Sequence, residues 1–275
     1  MSKIIYLVLL ISSIIPIRGL NYIARIIQCI NKYIIRYRIN VIKKNIHLAF
    51  PMMSKDDTKN LINRFYQYFF TTIMEIIKSI RWNEHQIKSK VKIKNIAMIN
   101  TSLKKGQHIV LLSAHYSNWE LLLLRLSLIP NINLNTVYKP LSNQSFNKIL
   151  LKIRTKFGAE LVPLSKWRYF MLRKKKSPST FMFVCDQVPN PRENSVRINF
   201  FNQSTLFHKG PEKVTQFLNA KVFYIDMYKS NINNYIINFK PISSNNITKQ
   251  YVSCLESTIK KQPEYWLWSH NRWKR

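Results

Sequence analysis

Ile109-Val-Leu-Leu-Ser-Ala-His-Tyr-Ser-Asn-Trp-Glu-Leu-Leu-Leu-Leu124 is the stretch whose reading decides the fold. An apolar run of strand length opens it, a leucine-rich run with helical spacing closes it, and the polar block His115–Glu120 lies between the two. An apolar strand that delivers polar residues to a turn and hands over to a helix is the unit of an α/β sheet, and such sheets place ligands beyond the carboxyl ends of their strands. The texture on both sides agrees. Further β-rich runs at Asn133–Tyr138, Thr180–Cys185, Arg197–Phe201, Lys221–Tyr228 and Tyr235–Phe239 alternate with helical runs at Gln144–Phe157, Pro211–Leu218 and Ile247–Lys260. Upstream, Asp56 to Ile80 carries Leu61, Phe65, Phe69, Ile73, Ile76, Ile77 and Ile80 on one helical face. No internal repeat and no linker-like stretch divides the chain. The expected architecture is one α/β domain, a central mixed sheet flanked by helices over residues 49–275, behind N-terminal helices in 1–48 that anchor it to a membrane.

That anchor rests on two features. Ile4 to Ile17 is apolar but interrupted by Ser12, Ser13 and Pro16, and Arg25, Lys32, Arg36, Arg38, Lys43 and Lys44 follow among Ile, Tyr and Leu. About 20 apolar residues are needed to cross a bilayer, so the run is short for a span and suits the interface, with basic residues favouring anionic headgroups on the cytoplasmic face. A buried first helix with a solvated basic side is the alternative.

Composition excludes several classes of function. The 275 residues hold 44 Lys+Arg against 12 Asp+Glu, a net charge of +32, and at 46% hydrophobic they can bury a full core, so the chain is not disordered. With only Gly19, Gly106, Gly158 and Gly210, neither a dinucleotide fingerprint nor a P-loop can be written, and G-x-S-x-G is absent. Cys29, Cys185 and Cys254 are odd in number and far apart, which suits a reducing compartment and offers no metal motif. The basic charge has two readings: a field for an acidic partner, or a general enrichment in Ile, Lys and Asn. A nucleic-acid-binding protein, the function the charge alone would suggest, lacks RRM and KH signatures, so no nucleic-acid partner is expected.

The chemistry concentrates in His115–Glu120. Five residues apart, His115 and Glu120 would lie about 140° apart around a continuous helix and can meet only across a turn. There a carboxylate can hold one imidazole nitrogen and leave the other as a base. With no nucleophile alongside, the group to activate is a substrate hydroxyl. Ser117-Asn-Trp-Glu120 equally reads as a capping box that merely closes a helix.

His115-Tyr-Ser-Asn-Trp-Glu120 resembles the H-x4-[DE] signature of the lysophospholipid acyltransferase superfamily, in its late lipid A acyltransferase branch. Other blocks follow in family order: Arg38 through Asn45-Ile-His-Leu-Ala-Phe-Pro51, Val137-Tyr-Lys-Pro140, Asp186-Gln187, Phe200-Phe201, Gly210-Pro-Glu212, and Pro263-Glu-Tyr-Trp-Leu-Trp-Ser-His-Asn-Arg-Trp-Lys274. The resemblance implies acyl transfer from an acyl-carrier-protein thioester to a hydroxyl of a lipid A precursor at the cytoplasmic face of the inner membrane. It implies an acyl-carrier protein, a glycolipid and an anionic membrane surface as partners, with no cofactor and no metal. His115 would be the general base and Glu120 the group that orients it, with no acyl-enzyme. Ser117, Asn118, Tyr138, Lys139, Asp186 and Gln187 would contact the acceptor, and Asn118 with backbone N–H groups would steady the oxyanion. Ser117 stands where the family usually has Gly, and Lys139 where it has Arg. A lysophospholipid or an aminolipid is the alternative acceptor. His208 and Lys209 suit either an acceptor pocket or a turn, and Tyr265, Trp266, Trp268 and Trp273, interleaved with His270, Arg272, Lys274 and Arg275, suit either a membrane interface or the core.

Overall fold

The computed structural model describes residues 2–190, 194–231 and 234–274; Arg275 of the basic tail lies outside them. In chain order the elements are α1 (Ser2–Ser12), α2 (Ile17–Ile30), a π-helical turn (Asn31–Ile35), α3 (Ile39–Ala49), α4 (Lys55–Ser79), α5 (Glu84–Lys90), β1 (Val91–Ile93), α6 (Ala97–Lys104), β2 (Ile109–Ser113), α7 (Trp119–Ser127), β3 (Leu134–Tyr138) and α8 (Gln144–Arg154). Then come β4 (Glu160–Pro163), α9 (Trp167–Lys174), β5 (Thr180–Val184), β6 (Ser195–Phe200), β7 (Gln203–His208), α10 (Gly210–Leu218), β8 (Lys221–Asn231), β9 (Asn234–Ile242) and α11 (Ile247–Lys261).

Seven strands form one mixed sheet in the order β1-β9-β8-β2-β5-β3-β4. The pairs from β8 through β4 are parallel, and the β8–β9 hairpin turns the edge antiparallel. Helices cover both faces. All five residues of β2 are therefore buried, with Val110 and Leu112 packed on one side with α3, α10 and α11, and Ile109 and Leu111 on the other with α7 and α8. The alternation follows from the two-residue period of a strand. The expected α/β architecture holds, with one difference: the run at Arg197–Phe201 joins a separate hairpin, β6 with β7, instead of the main sheet.

At the N-terminus, α1 and α2 meet at a bend of 114° near Pro16, and neither helix is long and apolar enough to cross a membrane. Lys78 at the end of α4 caps the bend by donating to the carbonyls of Ser13, Ile14 and Ile15, as a cation at carbonyls left free by a helix end does. Ile4, Leu7, Val8, Ile11, Ile14, Tyr33, Ile34 and Ile35 are all more than half exposed. The helix α3, by contrast, buries Ile42, Asn45 and Ile46 completely in the main core, so the segment expected to serve only as anchor also builds the domain.

Candidate active site

The parallel strands β2 and β5 are hydrogen-bonded neighbours in register, Ser113 against Val184, so the residues just past their carboxyl ends emerge side by side. This brings His115 to Asp186. The Asp186 Oδ1 accepts the His115 backbone N–H at 3.0 Å and lies 2.8 Å from Nδ1, while Oδ2 accepts the Trp266 indole N–H at 2.9 Å. Burial opposes ionisation of this carboxyl, but the His115 ring, the two hydrogen bonds from His115 and the Trp266 indole outweigh it and hold the group at about 2. An ionised Asp186 fixes the proton of His115 on Nδ1. Nε2 is then the free lone pair, with the Gln187 Nε2 amide 3.4 Å away, and the ring keeps a side-chain exposure of 23%.

Glu120 does something else. Its carboxylate takes Arg154 Nε at 2.8 Å and Arg154 Nη2 at 2.5 Å, together with the Trp119 indole at 3.1 Å. Burial works against the Arg154 charge, and the bonds to Glu120 overcome it and raise its affinity for the proton. Among the described residues no hydrogen bond joins Glu120 to His115. The hydrogen-bond partner of the His115 ring in this structure is Asp186, and Glu120, expected beside the histidine, holds Arg154 instead. The physical reason is direction: Glu120 sits in the first turn of α7, and its side chain runs across to α8, where Arg154 supplies a bidentate partner.

Ser117 and Asn118, expected to contact the acceptor, are fully buried in this structure. Ser117 adopts a left-handed φ of 57°, the conformation that glycine takes at least cost, and its N–H donates to the Tyr265 carbonyl. Asn118 caps α7 by accepting the Leu121 N–H and donates its amide to Glu75 at 2.7 Å. Tyr138 is half-buried at the end of β3, near Arg154, and Lys139 is exposed beside it. His208 and Lys209 are partly buried where β7 hands over to α10.

The C-terminal aromatics belong to the core. Trp266 and Trp268 are buried, and the segment is strapped to the His115–Asn118 turn by a Tyr116–Trp266 bridge and by Leu267 N–H donating to the His115 carbonyl. Arg38 and Asn45, far off in the chain, donate to the carbonyls of Ser269 and of Trp268 and His270. His270 accepts the Val188 N–H, and burial pushes its imidazole down to about 4. Beside His115, Trp119, Trp266 and Leu267 face Phe65 and Phe69 of α4 across a narrow apolar slot. No group of His, Cys, Asp and Glu able to hold a metal occurs among the described residues.

Sequence reasoning missed Arg154 as the partner of Glu120, Trp266 as the partner of Asp186, and Glu75. Only the tryptophan stood in a quoted motif; the other two carry no local signal.

No curated protein matches the chain. The family model for bacterial lipid A biosynthesis acyltransferases matches residues 2–275, and the chain therefore belongs to that family of acyltransferases.

Proposed function

We propose that the protein transfers a fatty acyl chain from an acyl-carrier-protein thioester to a hydroxyl of a lipid A precursor at the cytoplasmic face of the inner membrane, with His115 as general base. The observation that carries this reading is the Asp186–His115 pair, which leaves Nε2 facing only the Gln187 amide, 3.4 Å away, at the end of the sheet on a partly exposed ring. Nε2 takes the proton of the acceptor hydroxyl, the oxygen attacks the thioester carbonyl, and the imidazolium is held beside the Asp186 carboxylate. When the tetrahedral intermediate collapses, the C–S bond breaks and the imidazolium returns the proton to the departing sulfur. Proton transfer of this kind contributes typically ~10²–10⁴ in rate, the remainder coming from holding donor and acceptor together. No residue need become acylated.

The remaining features support the lipid substrates. Arg154, aimed by Glu120 and near Tyr138, offers a guanidinium to a phosphate on the acceptor, alongside the ammonium of exposed Lys139. Residues 1–48 carry the exposed apolar surface of α1, α2 and the π-helical turn, which suits insertion at an interface without crossing it.

The test is acylation in vitro. Purified protein in vesicles, given acyl-carrier-protein thioester and a lipid A precursor, is expected to yield a product heavier by one acyl group in mass spectrometry. His115→Ala is expected to abolish that product while remaining folded and vesicle-bound. Acylation of a lysophospholipid or an aminolipid instead, or full turnover by His115→Ala, would overturn the reading.

A further inference from the structure

The buried face of α4 carries Tyr68, Thr72 and Glu75, at i, i+4 and i+7 and so on one side of the helix. Glu75 is completely inaccessible to solvent. Its Oε2 accepts two hydrogen bonds, from the Asn118 amide at 2.7 Å and the Tyr235 hydroxyl at 2.6 Å, while its Oε1 is buried without a partner. Tyr68 reaches the same turn, donating to Ser117 Oγ at 3.5 Å and packing its ring 4.3 Å from that of Tyr265, whose carbonyl takes the Ser117 N–H. Asn118 is thus a brace with two ends. Its carbonyl fixes the first turn of α7, and its amide fixes α7 to α4 through Glu75.

We propose that Glu75 is a positioning residue for His115, holding through Asn118 the left-handed turn at Ser117 by which β2 delivers the histidine to α7. The inference rests on the reading of His115 as the base. A serine in the left-handed region keeps that conformation only while its surroundings over-determine it. Here the Tyr265 carbonyl holds one side and the Glu75–Asn118 bond the other. Releasing the second lets the turn relax, and His115 lies two residues before Ser117 and three before Asn118.

The charge state sharpens the test. Burial drives the Glu75 carboxyl above the usual carboxylate range, against the opposing pull of Lys229 on β8, the hydrogen bonds from Tyr235 and Asn118, and Lys90 on α5. Both donors meet a single oxygen, Oε2, and a glutamine carbonyl can accept from both in the same way. Lys229 lies 5.4 Å from the Tyr68 ring and 5.9 Å from the Tyr235 ring, stacked over aromatic faces.

The experiment compares Glu75→Gln, Glu75→Leu, Asn118→Ser and the control Leu61→Ala, a core truncation on the same helix, in the acylation assay and by the ¹⁵N shifts of the His115 ring. Serine at 118 can still cap α7 but cannot reach Glu75. Expected are near-normal kcat for Glu75→Gln, and a kcat lowered about 10- to 100-fold with KM unchanged for Glu75→Leu and Asn118→Ser. Both should blur the His115 tautomer, and Leu61→Ala should lower the melting temperature without touching either readout. If Glu75→Leu does not fold, Asn118→Ser decides alone. Full kcat in the folded variants, or losses that merely track melting temperature as in the control, would overturn the proposal. An inactive His115→Ala beside a fully active Asn118→Ser refutes only the positioning role, whereas an active His115→Ala refutes both.

Discussion

Two buried carboxylates flank the same turn, and they are put to different uses. Asp186, just past β5, is met by an imidazole, a backbone N–H and an indole, whereas Glu120, in the first turn of α7, is met by the fork of Arg154. The first is paired with an imidazole, whose second ring nitrogen can accept a proton; the second is paired with a guanidinium, which has no acceptor. A carboxylate orients a base only when what it holds can itself act as a base, so under the proposed reaction Asp186 would serve the chemistry and Glu120 the aim of a fixed cation.

Exchanging each carboxylate for its amide breaks the comparison most directly. Asp186→Asn removes the acceptor that keeps the proton on Nδ1, and kcat is expected to fall by ~10²–10⁴ with the melting temperature lowered far less in proportion, as read from steady-state kinetics beside thermal denaturation. Glu120→Gln removes the negative charge beside the partly buried Arg154 guanidinium but keeps one acceptor oxygen. Its expected signature is about 1–3 kcal/mol of lost stability in urea titration and a raised acceptor KM, with the His115 tautomer intact. A kcat loss for Glu120→Gln as large as that for Asp186→Asn, in protein shown to be folded, would erase the distinction.

Acid sharpens it further. Asp186 has its pKa lowered from 3.8 to about 2, so its contribution is complete above about pH 4 and is lost as the pH falls through about 2, some 2 kcal/mol in all. His270 is also lowered, from 6.5 to about 4, because burial disfavours its charge; a base of this kind stabilises the fold above about pH 6.5 and loses that stability as the pH drops to about 4. Two separate acid limbs are therefore expected. Asp186→Asn should flatten the lower and His270→Asn the upper, as followed by unfolding free energy against pH. The smallest effect belongs to Trp266→Phe, which deletes one donor to Asp186 and should cost about 1.5 kcal/mol of stability, with a rise in the acid midpoint of the lower limb.

The architecture was readable because Ile109–Ser113 is a continuous apolar run of strand length and the long helix at Asp56–Ile80 is strongly periodic. The strands β1 and β4 escaped because they are three and four residues long and lie at the sheet's two ends, too short to show a period. β7 escaped because its burial alternates in a polar run, Gln203 to His208. At the site, His115 and Asp186 were both legible as residues, but their pairing was not. Glu120 is near in sequence and Asp186 near in space, and only the β2–β5 register reveals which one reaches the ring. Arg154 and Glu75 were illegible for the same reason. Each stands in an unremarkable helix, and what distinguishes it is the side chain from another element that it meets. The tryptophans of the C-terminus carry the converse lesson: an aromatic-basic pattern that suits a membrane interface instead fills the space behind the His115–Asn118 turn, where Trp266 finds Asp186.

The most direct measurement is the ¹⁵N spectrum of the His115 ring across neutral pH in the wild type, Asp186→Asn and Glu120→Gln. The neutral ring is expected to carry its proton on Nδ1 in the wild type and in Glu120→Gln, and to lose that preference in Asp186→Asn. A tautomer unchanged by Asp186→Asn and scrambled by Glu120→Gln would contradict the assignment.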